Sequence, residues 1–169
     1  LKVNDEIICD EKAPIKTGNR LMLKNIPTAS LIHNIESRPS GKGKLVRSAG
    51  AYAQLLAIDQ GYAFIKMPSG EVRKIPENCY ASLGQLSRED YGIIKIGKAG
   101  RSRHMGIRPT VRGSVMNPVD HPYGGGEGRT QRGTKRPKDI WGNITSGRKT
   151  RKKKKYSDNL IIQRRKGKK

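Results

Sequence analysis

The positive charge of this chain lies almost entirely in its second part. Residues 98–169 hold 22 Lys or Arg against four Asp or Glu, whereas residues 1–97 hold 14 against 10, so net charges of +18 and +4 make up the total of +22. A compact segment carrying +18 repels itself unless a counter-charge neutralises it, and phosphate backbones are the commonest large polyanions a protein meets. The second part therefore reads as a polyanion-binding extension, with RNA as the expected partner. Hydrophobicity divides at the same place. Of residues 1–97, 41 belong to the Ala, Val, Ile, Leu, Met, Phe, Trp, Tyr and Cys set, against 15 of residues 98–169. Only the first part is rich enough in apolar surface to build a core. The second cannot offset its ordering entropy by burial and is expected to be extended or disordered until bound.

Residues 1–19 are mixed in sign, show no clear period and read as a lead-in. Residues 20–97 are expected to form a small, mainly β barrel. Short aliphatic runs at 31–35, 52–58, 62–67, 71–75 and 81–86 are broken by Gly, Pro and Ser at the spacing of an all-β meander. Asp59, Gln60 and Gly61 read as a three-residue hairpin connection, Pro68 to Gly70 as the next, and Pro76 to Cys79 as a single helical turn. Along 62–67 the period of two puts Ala63, Ile65 and Met67 on one face and Tyr62, Phe64 and Lys66 on the other, with either face available as core. Residues 98–169 read as a long irregular basic extension, because Gly100, Gly106, Pro109, Gly113, Pro118 and Pro122 recur too often for helix or central strand. Cys9 and Cys79 are too few for a disulfide framework and have no metal-ligand spacing, which fits a reducing compartment. No apolar run approaches the roughly 20 residues of a membrane span, so a soluble protein without a membrane partner is expected. No cofactor and no metal is implied.

Three segments of the extension carry chemistry. Residues 97–113 space Lys98, Arg101, Arg103, His104, Arg108 and Arg112 along a glycine-containing backbone without a carboxylate, so the main chain can approach a phosphate ridge while Arg forks two donors onto it. Residues 116–129 contain Asp120-His121-Pro122 and the run Gly124-Gly125-Gly126. Three glycines are an entropic liability unless backbone packs directly on another surface, and a threaded RNA is such a surface. Asp120 and His121 also admit a carboxylate-oriented general base, but no nucleophile motif accompanies them. The glycine run has neither the spacing nor the preceding strand of a nucleotide loop. In the tail, seven of the eight residues 148–155 are basic, and the chain ends in a second basic run from Arg164. Such runs neutralise phosphates or act as nuclear address signals. Between them, Leu160-Ile161-Ile162 is either a short strand or an apolar anchor. Trp141, the only Trp, is suited to stacking on a base or to filling a protein pocket.

The wording of the chain adds to this. Met116-Asn117-Pro118-Val119-Asp120-His121-Pro122, followed by Gly124-Gly125-Gly126-Glu127-Gly128-Arg129, resembles the signature of the universal large-subunit ribosomal protein numbered two, in its bacterial and organellar form. The likeness extends through Arg108 to Gly113, Gly97 to Arg101, Ser69 to Arg73, Ser48 to Gly50 and Asn25 to Pro27, and covers the chain from residue 21 onward. It implies an SH3-like translation-protein barrel followed by an extension embedded in ribosomal RNA. It further implies a structural, non-enzymatic role: binding large-subunit rRNA, supporting subunit association and sending the Asp-His-Pro loop towards the peptidyl transferase centre. His121 matches the histidine discussed for that centre, in a supporting role. The expected rRNA contacts are Lys98, Arg101, Arg103, His104, Arg108, Arg112, Asn117, His121, Tyr123, Gly124, Gly125, Gly126 and Arg129, with Arg148, Lys149, Arg151, Lys152, Lys153, Arg164 and Arg165 in the tail.

Two departures from the family pattern are visible. Members usually carry an OB-fold domain ahead of the barrel, and only residues 1–19 precede it here. The expectation is a piece of a longer chain or the C-terminal product of a divided gene, with the OB-fold half supplied by a separate polypeptide or lost. Tyr123 stands where a second histidine is common, which weakens any proton relay needing two imidazoles. The implied partners are large-subunit rRNA, other large-subunit proteins and the small subunit across the interface. The implied location is a mitochondrial ribosome, with plastid and bacterial cytoplasm as alternatives. Two other classes compete: an enzyme using Asp120 and His121, and a barrel-type transcription-elongation or DNA-compacting protein.

Overall fold

The structure is a computed structural model that describes residues 1–129 and 131–165; residues 166–169 of the terminal basic run lie outside it. The chain forms two compact units, one from Leu1–Ile94 together with the stretch from Lys154 onward, the other from Lys95–Lys153.

The first unit is β and barrel-like, as its turn signals require. Its strands are β1 (Arg20–Met22), β2 (Leu31–His33), β3 (Ile35–Glu36), β4 (Gly43–Leu45), β5 (Ala53–Asp59), β6 (Tyr62–Lys66), β7 (Val72–Pro76), β8 (Tyr80–Leu83) and β9 (Ile161–Gln163). Seven of them form one sheet in the order β1-β8-β2-β5-β6-β7-β9, and β3 pairs with β4. Every one of these strand pairs is antiparallel. Strands β5, β6 and β7 are the expected meander, but β8 then leaves it and lies between β1 and β2. The turn after Pro76, closed by the Cys79 N–H donating to the Pro76 carbonyl at 3.0 Å, redirects the chain.

The β5–β6 connection is shorter than the three residues expected. Asp59 pairs with Tyr62, leaving Gln60 (φ 49°) and Gly61 (φ 79°) as a two-residue turn. Positive φ at both positions matches the right-handed twist of the flanking strands. A register shift between Leu55 and Ala57 then puts Leu55 fully inside while Leu56 faces out. On β6 the open choice of face is decided: Ala63 and Ile65 are buried with Leu21, Leu23, Ile32, Ile35 and Ala81, and Phe64 points away. Of the segment 160–162, Ile161 and Ile162 are strand, since β9 pairs Gln163 with Val72 and Ile161 with Arg73 at a sheet edge, while Leu160 ends a 3-10 helix from Tyr156.

The lead-in is tied down by Asn19, which is 3% exposed. Its Oδ1 accepts the Ile8 N–H at 3.0 Å and its Nδ2 donates to the Pro14 carbonyl at 2.9 Å. One charged pair is also enclosed. Arg20 donates to Glu36 Oε1 at 3.0 Å and to the Asn34 carbonyl at 2.8 Å, while Glu36 Oε2 accepts the Tyr80 N–H at 3.1 Å. Beside it, burial pushes the Cys79 thiol up to about 11, with a smaller contribution from the Glu36 carboxylate. Cys79 is therefore a protonated, apolar core group at neutral pH.

Candidate nucleic-acid interface

The unit Lys95–Lys153 holds 16 Lys or Arg against three carboxylates, Asp120, Glu127 and Asp139. It begins with an element that glycine counting argued against. Helix α1 (Ala99–His104) tolerates Gly100 near its start and ends at Gly106, whose φ of 81° terminates it. The Gly106 N–H donates to the Arg103 carbonyl and the Ile107 N–H to the Ser102 carbonyl, each at 3.0 Å. Those two bonds satisfy carbonyls that the helix end would leave orphaned. Arg101, Arg103 and His104 crowd its last turn, where the helix dipole favours cations. Lys98 precedes α1, Arg108 and Arg112 follow it in extended chain, and all six basic side chains are exposed.

Residues 113–125 fold on themselves. The Asn117 carbonyl accepts the N–H of Asp120 at 3.0 Å and of His121 at 3.3 Å, the His121 carbonyl accepts the Gly124 N–H at 2.8 Å, and the Met116 carbonyl accepts the Gly125 N–H at 3.1 Å. Glycine is required where the chain meets itself. A Cβ on Gly113 would sit 2.4 Å from the His121 ring, and one on Gly124 would sit 2.1 Å from the Asn117 carbonyl oxygen. The glycine run was read as room for a threaded nucleic acid. For Gly124 and Gly125 the close surface within this unit is the chain's own backbone and the Pro118 ring, while Gly126 stays exposed.

His121 is half-buried, and its Nδ1 accepts the Tyr123 N–H at 3.1 Å. That bond assigns the proton of the neutral ring to Nε2, so the free nitrogen is a donor. The Asp120 carboxylate makes no hydrogen bond to the imidazole among the described residues, and the oriented pair that a general base needs is not assembled. Tyr123 lies 4.9 Å from the His121 ring, centroid to centroid and tilted by 45°. Its hydroxyl accepts the Lys138 N–H, and the Arg132 guanidinium sits 5.7 Å from its ring centroid. The Tyr123 hydroxyl thus joins this loop to a turn at 137–145, a link with no signal in the sequence.

That turn is built on Asp139. The bridge Lys138↔Ile144 opens it, and the Asp139 carboxylate accepts the N–H groups of Trp141 and Asn143. Of the other predicted contact residues, Asn117, Arg129, Arg148, Lys149, Lys152 and Lys153 are exposed and Arg151 is half-buried. Arg164 and Arg165 belong to the first unit, where Arg164 pairs with Asp158 at 3.3 Å. Arg165 lines a shallow hollow with Leu45, Met67, Ser69, Glu71 and Arg73. Sequence reasoning missed Arg132, Asp139 and Asn19; an Asp three residues before a turn glycine was the one usable signal, at 139–142. Among the described residues, no three His, Cys, Asp or Glu side chains gather as a metal site, and no helix is long and apolar enough to cross a membrane. In comparison with known families, residues 16–142 match the one described as Ribosomal Proteins L2, C-terminal domain.

Proposed function

Because this chain belongs to the family of Ribosomal Proteins L2, C-terminal domain, and so is a structural protein of the large ribosomal subunit, we propose that its unit 95–153 binds the rRNA of that subunit. The observation that carries this reading is the density of exposed, unpaired cations around a backbone kept slim by glycine. Arg101 and Arg103 in α1, and Arg108 and Arg112 after it, are exposed and form no ion pair among the described residues. Such an array suits a polyanion, and phosphate backbones are the commonest large ones. In this reading the self-folded loop 113–125 lies near the peptidyl transferase centre, and the protein supports association of the two subunits. The ribosome proposed is mitochondrial. The contacts named from the sequence, from Lys98 to Arg129 and through the basic tail, are proposed rRNA contacts.

The test is recovery of a tagged chain with its RNA, followed by salt titration. The parent should bring down large-subunit rRNA together with other ribosomal proteins, and the sequence of that rRNA reports the compartment. Neutralising the four arginines together should flatten the log-log salt slope by roughly three, at about 0.7 to 0.9 per phosphate contact. An unchanged slope, or recovery of bulk DNA or a polymerase instead, would overturn the proposal.

The His121 geometry gives a second expectation. His121→Asn retains an acceptor for the Tyr123 N–H but loses the Nε2 donor. Assembly should persist while peptide-bond formation slows roughly tenfold, the effect of one hydrogen bond worth about 1.5 kcal/mol. His121→Ala loses both and should lower assembly as well. Fully assembled, normally active ribosomes carrying alanine there would remove any special role for this side chain.

A further inference from the structure

We infer that Trp141 is a stacking platform for one unpaired base of the bound RNA. This rests on the RNA-binding reading above and adds to it a residue, a contact type and a preference for single strands.

The indole is 81% exposed, in a unit that buries few of its large side chains. An exposed indole is ordinarily a sign of a floppy loop, but here the backbone beneath it is held by five bonds. Asp139 Oδ1 accepts the Trp141 N–H at 3.0 Å and the Asn143 N–H at 2.7 Å, and Oδ2 accepts from Asn143 Nδ2 at 3.3 Å. The Asp139 carbonyl accepts the Gly142 N–H at 3.0 Å, and the Asp139 N–H donates to the Asn143 carbonyl at 2.9 Å. Gly142 takes φ of 79°, which closes the turn without a steric penalty. None of these bonds uses the ring. The turn is built to hold an aromatic face in solvent, so binding there loses little loop entropy.

Two occupants have the right shape, a nucleobase and an apolar protein pocket, and charge separates them. The unit carries 16 cations against three carboxylates, and the carboxylate nearest in sequence to the indole is occupied by backbone N–H groups. The unit's net charge of +13 therefore favours an anionic ligand on the ring. A nucleotide answers both features, with a π face for the indole and a phosphate for the cations. The base must be unpaired, because a duplex keeps its base faces stacked internally.

Trp141 is the only Trp of the chain, so its emission reports on this residue alone. The full chain is titrated with an oligoadenylate of about twelve residues, and separately with its duplex with oligouridylate, both within the site sizes usual for single-strand binders. The single strand should quench the emission, and Trp141→Ala should weaken its binding roughly tenfold, with Trp141→Phe recovering most of the loss. Duplex binding should change less than about twofold in either variant, since charge drives it. Single-strand binding without quenching, or with unaltered affinity in the alanine variant, would overturn the stacking contact and leave the RNA-binding proposal standing. Failure of the parent to bind either RNA would overturn both.

Discussion

Glu36→Ala is expected to destabilise the sheet unit by about 3 to 5 kcal/mol, the usual consequence of leaving one partner of an enclosed ion pair uncompensated. Glu36 is 7% exposed. Its carboxylate serves two groups from separate strands, the Arg20 guanidinium of β1 and the Tyr80 N–H of β8. Without it, Arg20 keeps the Asn34 carbonyl but has no counter-charge, and the Tyr80 N–H loses its acceptor. A small domain has a total stability of about 5 to 15 kcal/mol, so the loss is a large fraction of it. Thermal unfolding of the full chain should shift down by at least roughly 12 °C, at about 4 to 8 °C per kcal/mol for a domain of this size. Glu36→Gln, which keeps an acceptor of similar shape, should lose less. An alanine variant that melts with the parent would show that the pair contributes nothing net, as happens for many exposed pairs.

Gly124→Ala should be nearly as damaging, at the other unit and for a steric reason. The added carbon would lie 2.1 Å from the Asn117 carbonyl oxygen, 2.4 Å from its carbon and 2.8 Å from the Met116 carbonyl oxygen. All three belong to backbone carbonyls whose oxygens already accept hydrogen bonds within the loop, so none can retreat cheaply. Opening the loop at about 3 kcal/mol, the upper range for overpacking, would reduce its closed population roughly a hundredfold. In competition with the parent chain, the variant should be depleted at least about tenfold from large subunits separated on a sucrose gradient. Gly92→Ala is the matched control. It lies outside the proposed RNA-binding unit, and a side chain there meets open space on a backbone without positive φ. Equal incorporation of both variants would refute the argument.

Much of the first unit was legible because its signals are local. The runs at 52–58, 62–67 and 71–75 are bounded by turn residues and became β5, β6 and β7. Misreadings arose where the deciding partner was distant. Strands β1 and β4 have three residues each and no alternation to read; β1 exists because β8 pairs with it across some 60 residues, Arg20 against Ser82. Asp59 looked like turn chemistry, yet pairing with Tyr62 kept it in the strand. Gly106 was counted as a helix breaker when it is the stop of a helix that Gly100 does not prevent. At the site, the type of residue was readable and its partner was not. Tyr123 was recognisable as an aromatic in place of a histidine, but not that its hydroxyl would accept from Lys138.

From the sequence alone came the division into a core-forming part and a cationic part, the mainly β character of the former, and the family wording of 97–129. These depend on composition and short-range order, which hold in any conformation the chain adopts. The tertiary structure alone decided which face of β6 is inside, that β8 slips between β1 and β2, that β9 returns to the sheet edge, and that Gly124 is needed against Asn117. Each of those is a choice among contacts between groups that the chain separates. Free energies of that kind are set by which surfaces meet and what they exclude, and a linear order of residues does not contain them.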